Sequence, residues 1–316
     1  MITGRDVAAA AARIDGHVRR TPMLRTGESP MWFKCEFMQH TGTFKARGAF
    51  NRVLSARDSG ELDPQVGIVV ASGGNAGLAN AYAAAQLGVP ATVFVPRSAP
   101  VVKVDRIRSH GAVVRHVGAE YAEAFEAAVE YAHGHGAVLC HAYDQPAIAA
   151  GAGTLAQEIL HDEPSIDTVV LAVGGGGLLA GVLAGLENRA RVVAVEPHSI
   201  PTLSAALAHQ QPVDVAVSGV AADSLGARRI GQICFDTVAH YGVSSVLVDD
   251  DDIISARARL WNDYRIAAEY GGATALAALL SGAYVPQPGE RVAVVVCGAN
   301  TDPATLSQTR HDTPMT

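Results

Sequence analysis

From residue 67 to residue 140 short apolar runs and helix-forming stretches alternate without a break, and this pattern restricts the fold more than any other feature of the chain. Strands are predicted at 67–71, 91–95, 113–117 and 137–140, with helices at 75–88, 101–110 and 121–134 between them. Parallel strands need a long crossover, usually a helix, and such crossovers are right-handed, so the pattern predicts βαβ units. The alternation returns later, with strands at 168–173, 192–196, 245–248 and 292–296 and helices at 177–189, 252–269 and 274–282. Ahead of residue 67 a helix is expected over 5–18, a strand over 31–36 and a helix from Lys45 to about residue 56. At 316 residues the chain exceeds the length at which single cores tend to divide. The expected class is α/β with two domains: residues 67–143 as the smaller one, and 1–66 together with 144–316 as a discontinuous larger one.

Within this frame the stretch Gln39-His40-Thr41-Gly42-Thr43-Phe44-Lys45-Ala46-Arg47-Gly48-Ala49 is unusual. A lysine is ordinarily a solvated surface charge. Here hydroxyls, a glycine and an aromatic ring precede it, and small residues follow, leaving room for a large group to approach. An amine desolvated in such a place has a lowered pKa and can attack a carbonyl.

Three further segments fall where predicted strands end. Gly174-Gly175-Gly176-Gly177 follows an apolar strand and opens a helix, so its backbone amides can surround a phosphate. The same glycines also fit a dinucleotide turn, with Gly175, Gly177 and Ala180 in place and Glu196 at the next strand end. Four glycines exceed what that turn requires, and it leaves the lysine segment without a role. Ser72-Gly73-Gly74-Asn75-Ala76-Gly77 offers a hydroxyl, an amide and unshielded backbone N–H groups, a set suited to a carboxylate. An ordinary helix cap accounts for one of its polar residues but not for three glycines. No G-x-S-x-G elbow surrounds Ser72, which disfavours a hydrolase nucleophile. Cys297-Gly298-Ala299-Asn300 ends the last predicted strand, at the edge where open α/β sheets bind ligands, although a buried cysteine is commonly core filler. The carboxylates of 249–252 are read as a helix cap.

Charge and cysteine usage exclude several classes. A net charge of −7 with no basic stripe argues against nucleic acid. The first helix mixes arginines and an aspartate with alanines, which suits neither a signal peptide nor a membrane span, and a cytoplasmic location is expected. The four cysteines, Cys35, Cys140, Cys234 and Cys297, form no C-x-x-C pair, so reduced thiols are expected. His133, His135, Cys140 and His141 are close in sequence, but their split between a helix end and a strand end suits a metal poorly. The residues after Pro303 are read as a polar tail.

Taken together, the Lys45 segment, the 72–77 loop, the tetraglycine, Glu196-Pro197, Glu269 before Gly271-Gly272-Ala273, and Cys297-Gly298-Ala299-Asn300 occur in an order and spacing that resembles the fold type II pyridoxal-phosphate enzymes. Within these the chain is most similar to serine/threonine dehydratases and serine racemase. The resemblance implies two three-layer αβα domains with mostly parallel sheets, pyridoxal 5'-phosphate as cofactor, an amino-acid substrate and a homodimer. It makes Lys45 the Schiff-base lysine and places Phe44 beside the cofactor ring. Gly174, Gly175, Gly176 and Gly177 would hold the phosphate, Asn75 the cofactor's 3'-oxygen and Cys297 the pyridine nitrogen, with Glu269 near the ring. Ser72, Gly73, Asn75 and Ala76 would bind the substrate.

The departures from the resembled pattern carry information of their own. Racemising members have a second serine where this chain has Gly73, which disfavours racemisation. The related metal site pairs the glutamate matching Glu196 with an acidic residue six positions on, where Thr202 stands, leaving a divalent cation uncertain. The usual histidine is Ala76, and Cys297 replaces a commoner serine. The length implies no amino-acid-sensing extension of the kind some dehydratases carry. The expected reaction is α,β-elimination from a β-hydroxy-α-amino acid to a 2-oxo acid and ammonia. A racemase, a β-replacement synthase and a non-catalytic cofactor-binding protein are the alternatives.

Overall fold

The structure, a computed structural model, describes residues 1–27 and 30–306. In chain order its elements are α1 (Gly4–Ile14), β1 (Met23–Arg25), β2 (Met31–Lys34), α2 (Lys45–Asp58), β3 (Ile68–Ala71), α3 (Asn75–Gln86), β4 (Ala91–Val95), α4 (Val101–Arg108), β5 (Val113–His116), α5 (Tyr121–His135), β6 (Val138–Cys140) and α6 (Pro146–Asp162). They continue as β7 (Thr168–Ala172), α7 (Gly177–Leu186), β8 (Arg191–Pro197), α8 (Thr202–His209), α9 (Ala222–Leu225), α10 (Gln232–Tyr241), β9 (Ser244–Val248), α11 (Asp250–Tyr264), α12 (Tyr270–Ser281) and β10 (Val292–Val295).

The strands form two sheets. One has the order β5-β4-β3-β6 and is parallel throughout; the other runs β1-β2-β10-β7-β8-β9, with only the β1–β2 pair antiparallel. Strands β3, β4, β7 and β10 are buried at every position. A strand covered on both faces has no solvent side to leave polar, which is why these read as unbroken apolar runs. Helices α6 and α7 cover one face of the six-stranded sheet, burying Leu155, Ile159, Leu179 and Val182, while α11 and α12 cover the other with Ile253, Leu260 and Leu276.

The α6–α7 pair shows what the small residues are for. A Cβ at Gly153 would lie 2.3 Å from the Gly181 carbonyl oxygen, and one at Gly181 would lie 2.2 Å from that of Ala149. The two backbones therefore touch directly.

Two expectations are corrected. The helix expected over 252–269 stops at Tyr264: Arg265 takes a left-handed φ of 56°, and Glu269 instead N-caps α12. The apolar residues Ile266 and Ala268 that extended the helical pattern are core residues of the connection. The polar tail falls mainly on 307–316, outside the described residues, whereas Leu306 is buried and Thr305 binds Arg257. Among the described residues no helix is long and apolar enough to cross a membrane.

Candidate active site

Most of the segments singled out in the sequence follow the carboxyl ends of strands, with Glu269 instead at the start of α12, and one further turn joins them there. Lys45 lies beyond β2, Ser72–Asn75 beyond β3, Ala142 and Tyr143 beyond β6, the tetraglycine beyond β7 and Cys297–Asn300 beyond β10. Strand order therefore brings them to one edge.

The lysine segment is stitched to the end of β10. Thr43 pairs with Gly298 in an antiparallel bridge, Phe44 N–H donates to the Cys297 carbonyl at 3.2 Å, and Ala299 N–H donates to that of Gly42 at 2.9 Å. Lys45 then opens α2, its ammonium donating to the Ala142 carbonyl at 2.8 Å and standing 5.1 Å from the centre of the Phe44 ring. Desolvation lowers its pKa from 10.5 to about 8, against the raising influence of Cys297 and Glu269. The amine is thus closer to its reactive neutral form than a surface lysine.

Two residues further along, Arg47 is fully buried and anchors the first turn of α2. Its Nε and NH2 reach both oxygens of Glu36, at 2.8 and 2.9 Å, and NH1 and NH2 reach both oxygens of Glu158, at 2.7 and 2.9 Å. Lys34, also fully buried, pairs with Glu158 and donates to the Thr21 carbonyl at 2.7 Å. Two cations and two carboxylates share the cluster, so its charge closes to zero.

Three of the four tetraglycine carbonyl groups are already engaged within the protein. Gly174 O accepts from the Thr202 hydroxyl at 2.6 Å, Gly175 O from Gly231 N–H at 3.0 Å and Gly176 O from Ala180 N–H at 2.9 Å. The N–H groups of the loop and of the first turn of α7 are left for an anion. Gly176 has a φ of +87°, and a Cβ there would meet the Cys234 sulfur at 2.5 Å; one at Gly175 would meet the Tyr143 ring at 2.4 Å.

Across the edge, Asn75 Nδ2 donates to Glu269 Oε1 at 2.8 Å, and Asn300 Nδ2 donates to Asn75 Oδ1 at 2.7 Å. Burial pushes the Glu269 carboxyl up to about 7, although the Asn75 hydrogen bond opposes this. Burial also pushes the Cys297 thiol far above its ordinary range, so it stays neutral, donating to the Gly271 carbonyl at 3.5 Å. Ser72 Oγ accepts from Gly74 N–H at 3.2 Å, a turn within its own loop.

Glu196 stands apart. Its Oε1 accepts from Leu203 N–H at 2.7 Å and its Oε2 from Ser204 N–H at 2.9 Å, while the Thr202 hydroxyl oxygen lies 2.9 Å from Oε1. It caps α8, and burial raises its carboxyl to about 7. The side chain is fully buried against the helix, which withholds it from a ribose hydroxyl and removes the acidic partner of a dinucleotide site. His141 Nδ1 accepts from the Tyr143 and Asp144 amides while His135 bonds within α5, and among the described residues no group of three or more His, Cys, Asp or Glu could hold a metal.

A sequence profile described as "Pyridoxal-phosphate dependent enzyme" matches residues 14–298. The chain belongs to this family. Among similar members is the L-threonine ammonia-lyase of Thermotoga maritima, 33% identical over 96% of this chain and 76% of that protein. Another is the phenylserine dehydratase of Ralstonia pickettii, 33% identical over 96% of this chain and 94% of its own. The structure of maize serine racemase superposes with a TM-score of 0.90 at 29% identity, covering 96% of this chain and 95% of that one.

The residues present fit the family's cofactor. A desolvated amine suits its aldehyde, a glycine loop whose carbonyls are engaged elsewhere leaves amides for its phosphate, and a neutral thiol suits its ring nitrogen. Ala142, Tyr143, Asp223 and Ser224 were not singled out in the sequence. Tyr143 packs on the glycines, and Ser224 Oγ accepts from Gly271 N–H at 2.9 Å. Asp223 pairs with Lys103. No motif marks them; only the strand order could have pointed to the 142–143 turn after β6.

Proposed function

We propose that this protein is a pyridoxal-phosphate dependent dehydratase, or ammonia-lyase, acting on β-hydroxy-α-amino acids of the serine and threonine type. The observation that carries the reading is the desolvated Lys45 amine, fixed where the carboxyl ends of β2, β6 and β10 meet. In this reading Lys45 holds the cofactor and Phe44 lies along its ring. Gly174–Gly177 take the phosphate, Asn75 faces the phenolic oxygen, Glu269 lies near the ring and Cys297 faces the pyridine nitrogen. The bound cofactor supplies an electron sink for the pair left on Cα when the α-proton departs.

The protein's own groups do the rest. Ser72, Gly73, Asn75 and Ala76 line the subsite for the substrate carboxylate. Lys45, freed as the substrate takes its place, removes the α-proton as general base. The β-hydroxyl leaves as water, taking the proton that Lys45 removed, and the enamine released adds water back and loses ammonia, so that substrate becomes 2-oxo acid plus ammonia in balance. Gly73 supplies no acid or base on the face opposite Lys45, which favours elimination over racemisation. Cys297, held neutral, places no proton firmly on the ring nitrogen and favours prompt loss of the hydroxyl. The division into 67–143 and a discontinuous remainder, and assembly as a homodimer, belong to the same reading.

The wild type, mixed with pyridoxal phosphate, is expected to gain a visible absorbance and to release 2-oxo acid from serine, threonine, 3-hydroxyaspartate or phenylserine. Lys45→Ala is expected to lose both. A variant that keeps both would sink the assignment, and a coloured wild type inert on all four substrates would leave a binding protein without this activity.

A further inference from the structure

Side-chain amides are nearly symmetric in shape, so the direction of an Asn–Asn hydrogen bond is set by the partners at its ends. At Asn300 both ends are constrained. Its Oδ1 faces Arg106, whose guanidinium can only donate and does so at 2.9 Å. Its Nδ2 faces the Thr41 carbonyl, which can only accept, at 2.9 Å. With Asn300 held in this sense, the 2.7 Å bond to Asn75 must run from Asn300 Nδ2 to Asn75 Oδ1. Asn75 is left with its NH2 turned the other way, and one of the two hydrogens goes to Glu269 at 2.8 Å.

The constraint at Arg106 is a charged one. It lines a small cavity of about 30 Å³ together with Gly73, Gly74, Asn75, Lys103 and Asp223. Lys103 is paired there with Asp223, whereas Arg106 has no carboxylate partner among the described residues. A charge-assisted bond to Asn300 is stronger than a neutral one. Arg106, Asn300 and Asn75 thus donate in one direction, starting at α4 and ending on the Glu269 carboxyl beside Lys45.

We propose that Asn300 is a positioning residue that fixes the direction of the Asn75 amide, so that Asn75 presents an N–H, not a carbonyl oxygen, to the cofactor. This rests on the reading in which Asn75 faces the cofactor's phenolic oxygen. A donor there favours the deprotonated oxygen and holds down the pH at which the visible band titrates. An amide oxygen in its place would do the opposite.

The test is a double-mutant cycle read by titrating the visible absorbance of the loaded protein. With Glu269 left as the sole partner setting the Asn75 amide, Asn300→Ala is expected to raise the titration midpoint by up to about one pH unit, the scale of one hydrogen bond to a charged group. On an Asn75→Ala background the same substitution is expected to add nothing, because Asn300 acts only through Asn75. Asn300→Asp keeps the shape but can only accept, so it should turn Asn75 round and shift the midpoint at least as far. An unchanged midpoint in Asn300→Ala, or a shift that survives in full on the Asn75→Ala background, overturns the proposal. A fall in substrate affinity with no spectral change would overturn it too, by making Asn300 a substrate contact. A wild type that gains no visible band overturns the proposed function, and this inference with it.

Discussion

Replacing Arg47 by Met tests how the catalytic lysine is held. The side chain is fully buried and makes four hydrogen bonds of 2.9 Å or less to Glu36 and Glu158. Methionine fills much of the volume but leaves Lys34 as the only cation for two carboxylates. Removing one partner from a buried ion cluster typically costs about 3–5 kcal/mol, because the remaining charge is stranded without water. The loss should depend on pH. Burial pushes the Glu158 carboxyl up, but Arg47 and Lys34 outweigh it and hold it below the usual range. In the wild type that stability is present above the unfolded pKa and fades as pH falls. In the variant Lys34 alone opposes burial, so the folded carboxyl moves back up towards its unfolded value and contributes less of this pH-dependent stability. The difference between the two proteins is therefore fully present at about pH 7 and shrinks towards about pH 3, as the carboxyl takes up its proton in both. Urea unfolding followed by circular dichroism at both values measures it. A loss below about 1 kcal/mol, the scale of an exposed pair, or a loss that grows in acid, would refute the argument.

Two further outcomes follow from the site. Gly176→Ala forces a Cβ into a backbone with φ +87° and to within 2.5 Å of the Cys234 sulfur. A left-handed L-residue alone costs about 1–2 kcal/mol, so cofactor affinity, measured by absorbance titration, should fall about tenfold or more. The lowered pKa of Lys45, about 8, predicts that the cofactor-free protein captures pyridoxal phosphate faster as pH rises, levelling above about 8. Stopped-flow absorbance reads this, and a rate still climbing steeply towards pH about 10 would mean an ordinary solvated lysine.

The βαβ alternation was legible because each buried strand is a single apolar run closed by glycine or a polar turn; β4 occupies the residues expected, 91–95. The strands were easier to read than the helix ends. Periodicity continued past Tyr264 because Ile266 and Ala268 are buried for a different reason, in the connection rather than on a helix face. The glycine surplus at 174–177 was a true signal: separate segments, carrying Leu225, Tyr143 and Cys234, press on successive positions. What the sequence did not display is the pairing of distant side chains. Arg106 and Asn300, or Lys103 and Asp223, are brought together by the folded arrangement of α4 against loops far along the chain, and neither pair has a local pattern.

The seam between the lysine segment and β10 bears on when the protein can become reactive during its synthesis. Strand β10, Val292–Val295, lies between β2 and β7, so β2 joins the six-stranded sheet only through the last strand of the described chain. A chain growing from its amino end can close the four-stranded sheet early, since its strands fall within 68–140. Until β10 emerges, however, the segment before Lys45 has no partner for the Thr43–Gly298 bridge, and Glu269 and Cys297, which act on the amine in the folded protein, come from the same late part of the chain. Sequence separation thus acts as a timer. The surroundings of the lysine are completed only with the sheet that encloses it.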